Sequence, residues 1–332
     1  MSAHRSRIVA VAMLALTATE CADAQGQVRW QDVLEQPASW YATAQARAAA
    51  EAVLLYQRPS GGWPKDIDMM RPPAERTPTT RPDATIDNGA TTTQIRLLAF
   101  VAGANGSPRG LHYVDSAIRG IDYLLQAQYP NGGWPQFFPL RTDYSRYITF
   151  NDNAMMNVMA LLDDVSNGTA PFAFVDASRR EKARAAVDRG VAVILRTQIR
   201  LDGVLTAWCA QHDEVTLEPR KARAYEHPSL SANESVAIVR FLMRRLPTPE
   251  IVTAIDSAVA WLERSRLPDA RWARFYEFTT NRPIFSGRDG IVHYKLEEIE
   301  KERQEGYAWY GTWPKTLLEK EHPAWKQRLG SR

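Results

Sequence analysis

Residues 57–66 read QRPSGGWPKD and residues 128–137 read QYPNGGWPQF. The frame of glutamine, three residues, two glycines, tryptophan and proline returns after 71 residues, each time at the end of an apolar helical pattern. Upstream, residues 40–57, 113–128 and 183–198 repeat apolar side chains at three- and four-residue spacing, the pattern of an amphipathic helix, and each stretch ends at a glutamine: Gln57, Gln128 and Gln198. Downstream, a loop leads to a second helical pattern at 88–104, 151–165 and 230–246. Each of these has a capping-type residue near its start: Asn88, Asn151 or Asp152, and Ser231. One more helix is expected over 251–266. The regular interval marks a repeat. Units of two helices bury their apolar faces against neighbouring units, and alternation of inner and outer helices predicts an all-α toroid. The glycines are expected to supply a left-handed helix stop and the proline to prevent continuation. Trp63 and Trp134 are expected to wedge between helices. Trp208 replaces the motif only loosely in the third unit.

The first residues read differently. Arg5 and Arg7, an apolar run from Ile8 to Ala18 and the triplet Ala22-Asp23-Ala24 form the pattern of a secretory leader. Residues 1–24 are therefore expected to be removed on export, leaving residues 25–332 as one domain, secreted or periplasmic. The apolar run is too short to span a membrane. Cleavage leaves Cys209 as the one cysteine, which excludes an internal disulfide and a cysteine metal site. The net charge of +3 suits an anionic partner. No basic run interleaved with aromatics points to nucleic acid. The Pro- and Thr-rich stretch 71–85 is expected to be a surface loop at the mouth of the toroid.

The starts of the three second helices are polar. They hold Asp87 and Asn88, then Asn151, Asp152 and Asn153, then Arg223, Tyr225 and Glu226 just ahead of the third. Helices related by rotation would bring these segments to one rim. Carboxylates and amides there form an oxygen-rich site suited to a hard cation such as calcium, although Asp and Asn at such places also serve as helix caps. Residues 271–314 carry Arg274, Arg282 and Arg288 among aromatic side chains. Such arginines can grip carboxylates while rings cover sugar faces, or pack a surface segment. Residues 296–303 read as a solvated amphipathic helix. Nucleophile-elbow, zinc-protease, P-loop and dinucleotide motifs are absent.

The blocks GGWPKDIDM, TIDNGATTTQIRLLA, YITFNDNAMMNVM, ARAYEHPSLS and RFYEFTTNRPIFSGRDG…GYAWYGTWP together resemble the family 10 pectate lyases. The resemblance runs from about residue 40 to the C-terminus. It implies an (α/α)3 toroid and calcium-dependent anti β-elimination of polygalacturonate. By the same resemblance Arg223 is the catalytic base, Asp87 and Asp152 bind Ca2+, and Arg274 and Arg288 hold substrate carboxylates. Asn88, Lys65 and Tyr225 become groove residues. An arginine base is expected either to need neighbouring cations and calcium that make its neutral form reachable, or to accept the proton only as the bond breaks, and hence to favour alkaline pH. Asn153 stands where a second acid is expected, which puts metal affinity in question. The expected partner is polygalacturonate, with no nucleic acid or membrane partner, and the chain is expected to act as a monomer. Two alternatives use the same groove. An inverting glycoside hydrolase would employ Asp87 and Asp152 as acid and base without a metal. A silent pectin-binding protein would keep the groove alone.

Overall fold

The computed structural model describes residues 28–73, 81–106 and 110–330. The expected leader over residues 1–24 and part of the Pro-rich loop lie outside the described residues. About half of the chain is helical, with ten strands of two residues each among the described residues. Seven helices form the body: α1 (Ala44–Tyr56), α2 (Thr92–Asn105), α3 (Leu111–Ala127), α4 (Ala154–Ser166), α5 (Ala177–Thr197), α6 (Ala232–Leu242) and α7 (Pro249–Arg264). Consecutive helices pair, and α1, α3, α5 and α7 contact one another in turn, as do α2, α4 and α6. The second row is the inner one. Helix α4 buries ten of its thirteen residues, whereas α5 buries seven of twenty-one. No described helix is long and apolar enough to cross a membrane.

The repeated glutamines tie the outer row together. Gln57, Gln128 and Gln198 each donate Nε2 to a carbonyl of their own loop, at Gly61, Gly132 and Thr206. Each also donates to a carbonyl of the next outer helix, at Ser116, Ala186 and Ala254. These carbonyls would otherwise lack a second partner in the packed interior. The tryptophans repeat as faithfully. Nε1 of Trp63, Trp134 and Trp208 donates at 2.8 Å to Val53, Leu124 and Ile194, each in the preceding outer helix. Trp208 is thus a full counterpart rather than a loose one. Trp272 does the same to Leu262 of α7, which makes a fourth unit that the glutamine spacing does not reveal.

The glycines serve a different end from a helix stop. Helices α1, α3 and α5 end on their glutamines in extended backbone, and Gly61 and Gly132 come four residues after the first two with φ of +97° and +102°. A Cβ at either would strike a carbonyl of the next outer helix, Arg119 or Arg189. Their role is left-handed backbone at a close approach between units.

A second ladder builds the rim. Thr85, Thr149 and Ser231 give their N–H to the carbonyls of Trp63, Trp134 and Trp208. The next residues, Ile86, Phe150 and Ala232, give theirs to Gln136, Ala210 and Arg274 of the following unit. The inner helices therefore all begin at one level. Beyond α7, short antiparallel pairs join Trp272–Ala273 to Tyr310–Gly311 and Leu230–Ser231 to Phe275–Tyr276. A small apolar cluster of Phe275, Ile284, Phe285, Ile299 and Trp309 seats this segment. The helix expected over 296–303 is instead a single turn at Leu296–Glu298 and a short helix, α8 (Lys301–Glu305), broken where Ile299 turns inward.

Candidate active site

The ladder places Asp87 opposite Asn151 and Asn88 opposite Asp152, so the two acids stand one position apart in their units rather than at equivalent places. Asn88, Asp152 and Asn153 adopt left-handed backbone, with φ of 51°, 50° and 60°, which Asn and Asp tolerate best among residues bearing a Cβ. None of the expected caps forms: α2, α4 and α6 begin without a side-chain cap. The acids turn to cations instead. Asp87 accepts from Lys65 Nζ at 2.5 Å, and Asp152 accepts from Arg274 Nη2 at 3.1 Å. Lys65 and Arg274 each stand two residues past a motif tryptophan, so one repeat position supplies both.

Arg274 is the more enclosed of the two cations. Its Nη2 also donates to Glu234 Oε1 at 2.5 Å and to Asn151 at 3.4 Å, and its guanidinium lies 4.9 Å from the centre of the Tyr307 ring. Burial alone would lower its pKa, but Glu234, Tyr307 and Asp152 outweigh burial and hold it firmly charged. Glu234 is fully buried and also accepts from Ser231 and Asn233. Burial would raise its pKa, yet Arg274 and Ser231 bring it below the ordinary value. Asp152 moves the other way. Desolvation raises its pKa, Arg274 offsets part of that, and the charges of Glu234 and Asp87 add to it.

Arg223 lies on the third side. It forms a two-pronged pair with buried Glu226, through Nε at 2.9 Å and Nη2 at 2.5 Å, and sits 4.9 Å over the Tyr225 ring. Tyr307 donates to the same Glu226 and so links the Arg223 and Arg274 groups. The neighbours of Arg223 are therefore anionic and aromatic, not the cations expected beside an arginine base. Burial lowers its pKa, but Glu226 and the tyrosines more than reverse this and raise it. Asn88 donates to Asp66 at 2.8 Å beside Lys65.

Arg288 stands apart. Its exposed side chain pairs with Glu302, which also pairs with Arg303, and Arg303 lies over Tyr225. Arg282 stacks on Tyr294 at 3.9 Å, outside the cluster. Glu234 and Tyr307 had no role in the sequence reading. Glu234 closes a Ser-x-x-Glu pattern at 231–234 that reads as a capping box, whereas in the fold its carboxylate turns to Arg274.

The model of the pectic acid lyase family matches residues 57–271 and 268–318. The chain belongs to polysaccharide lyase family 10. A solved family 10 polysaccharide lyase from Cellvibrio cellulosa is 34% identical, superposes with a TM-score of 0.76, and is covered over 94% of its length by 89% of this chain. A point mutant of a family 10 polysaccharide lyase from the same organism, in complex with trigalacturonic acid, gives 34% identity and a TM-score of 0.75 over 90% of this chain and 99% of that one. No curated protein sequence matches the chain. It is accordingly a polysaccharide lyase, and the hydrolase and silent-binder alternatives give way to elimination chemistry.

Proposed function

We propose that this lyase cleaves α-1,4-polygalacturonate by calcium-dependent anti β-elimination at the rim, giving 4,5-unsaturated oligogalacturonides. The observation that carries this reading is the convergence of Lys65, Arg223 and Arg274 with Asp87 and Asp152 on one rim. In a galacturonan the C5 proton lies alpha to a carboxylate, so its removal builds negative charge on an already anionic group. Fixed cations at that carboxylate lower the barrier. Arg274 is suited to that task because Glu234 and Tyr307 hold it in one place. Arg223 is assigned the C5 proton; Glu226 engages Nε and Nη2, and Nη1 has no hydrogen bond among the described residues. Its raised pKa makes the neutral form scarce, which favours alkaline pH.

Asp87 and Asp152 are assigned to Ca2+. Lys65 occupies only Oδ2 of Asp87, and the buried Oδ1 is left without a partner. That orphaned oxygen fits a cation. The described residues hold no group of three or more His, Cys, Asp or Glu able to bind a metal, and Asn153 is exposed. A calcium ion takes six to eight oxygens, so it would complete its shell from water and uronate carboxylates. Bound there, it would withdraw charge from the uronate. Asn88, Tyr225 and Arg288 are assigned to the groove, with Arg288 at its outer edge. Residues 25–332 are taken as an exported, monomeric (α/α)3 toroid. Mass spectrometry of the products tests the reaction: elimination yields fragments whose masses sum to that of the substrate, and fragments that have gained water would refute it.

A further inference from the structure

We infer that the end of the groove beyond Lys65 binds an uncharged pyranose, which in a galacturonan is a methyl-esterified unit. The inference rests on the galacturonan reading above. A cleft of about 580 Å³ opens beside the segment that precedes α1, lined by Trp30, Asp66, Asp68, Asn88 and Thr93 among others. Ligand pockets span about 300–1,000 Å³. A smaller pocket shares Trp30, Asp66 and Asn88 with it and reaches Lys65 and Gln94, so the cleft continues to the rim, where Lys65 holds Asp87. Gln94 is 2% exposed, and its Oε1 has no hydrogen-bond partner. A buried acceptor in that state favours a donor that enters the pocket.

The charge reverses along this path. Arg223 and Arg274 dominate the centre, but in the cleft Arg29 is engaged by Asp32 at 2.7 Å and Asp66 by Lys65 and Asn88, while Asp68 is exposed and has no ion pair among the described residues. Carboxylates repel a uronate, whereas they accept hydrogen bonds from sugar hydroxyls while Trp30 offers an apolar face. Trp30 precedes residue 57, where the family match begins, so chain outside the matched segment supplies one wall of this cleft, at Arg29, Trp30 and Gln31.

The test compares kcat/KM on unesterified and sparsely methyl-esterified galacturonan, read as unsaturated product, in the wild type, Trp30→Ala and Asp68→Lys. Trp30→Ala is expected to lower kcat/KM on the esterified polymer about tenfold and the unesterified value much less. Asp68→Lys, at an exposed position, is expected to lower the esterified-to-unesterified ratio about fivefold. If Trp30→Ala does not fold, Asp68→Lys decides alone. Ratios unchanged in the folded variants, with turnover of polygalacturonate intact, overturn the inference and leave the function standing. A wild type inert on both polymers removes the function and the inference together.

Discussion

On the outer side of the helix layers, Gln57, Gln128 and Gln198 make the same two hydrogen bonds in three successive units, and Trp63, Trp134, Trp208 and Trp272 make the same one in four. Two residues past each tryptophan the sameness stops, at Lys65, Gln136, Ala210 and Arg274. The inner helices show the same contrast. The backbone ladder at Thr85, Thr149 and Ser231 repeats, while the side chains beyond it run Asp-Asn, Asn-Asp and Asn-Glu. Repetition makes a frame whose parts all reach one level, and departures from repetition at that level make the site. The frame needs identity because each unit meets its neighbour through the same carbonyls. The rim needs difference because cations and the carboxylates that pair with them cannot be one residue type.

Substitutions on the two sides should therefore fail in different ways. The largest expected effect is at the rim: Arg223→Ala should lower turnover by about 10³-fold while polygalacturonate affinity and thermal stability change little. Near-normal turnover would remove Arg223 from proton transfer. Next comes the frame. Trp134 is fully buried and hydrogen-bonded to Leu124, so Trp134→Ala should cost about 4 kcal/mol of stability in urea titrations. A loss under about 1 kcal/mol would mean that the tryptophan ladder is ornamental to the fold. The smallest effect carries the sharpest contrast. Asp152 has a folded pKa above its ordinary 3.8, chiefly through burial. It binds protons more tightly folded than unfolded, so stability falls as pH rises from the ordinary value through the folded one. Above that window the ionised carboxylate is a net cost. Asp152→Asn should slightly raise the melting temperature near neutral pH, with the gain vanishing in acid, and should weaken the calcium response. A fall in melting temperature with calcium response intact would make Asp152 structural.

The frame was largely legible in the sequence because each helical unit announces itself locally, through apolar spacing and a terminal glutamine. The fourth unit was hidden because Arg266 stands six residues before Trp272, where the other units have glutamine or its loop. The glycines misled because a left-handed residue after a helix suggests a cap, while here the constraint comes from a neighbouring helix some sixty residues away in sequence. Asp87, Asp152, Arg223 and Arg274 were each visible as polar departures. Their partners were not. Glu234 meets Arg274 across 40 residues and Tyr307 meets Glu226 across 81, contacts that no local pattern encodes. Arg288, chosen by resemblance, lies at the edge with Glu302. The environment of Arg223 was expected to be cationic, and Glu226 makes it the reverse.

The most direct measurement is ultraviolet absorbance during incubation with polygalacturonate at mildly alkaline pH, first with calcium and then with a chelator. The expected result is a steady rise from 4,5-unsaturated ends that the chelator stops. New reducing ends without that absorbance, or a rise indifferent to the chelator, would contradict calcium-dependent elimination at the rim.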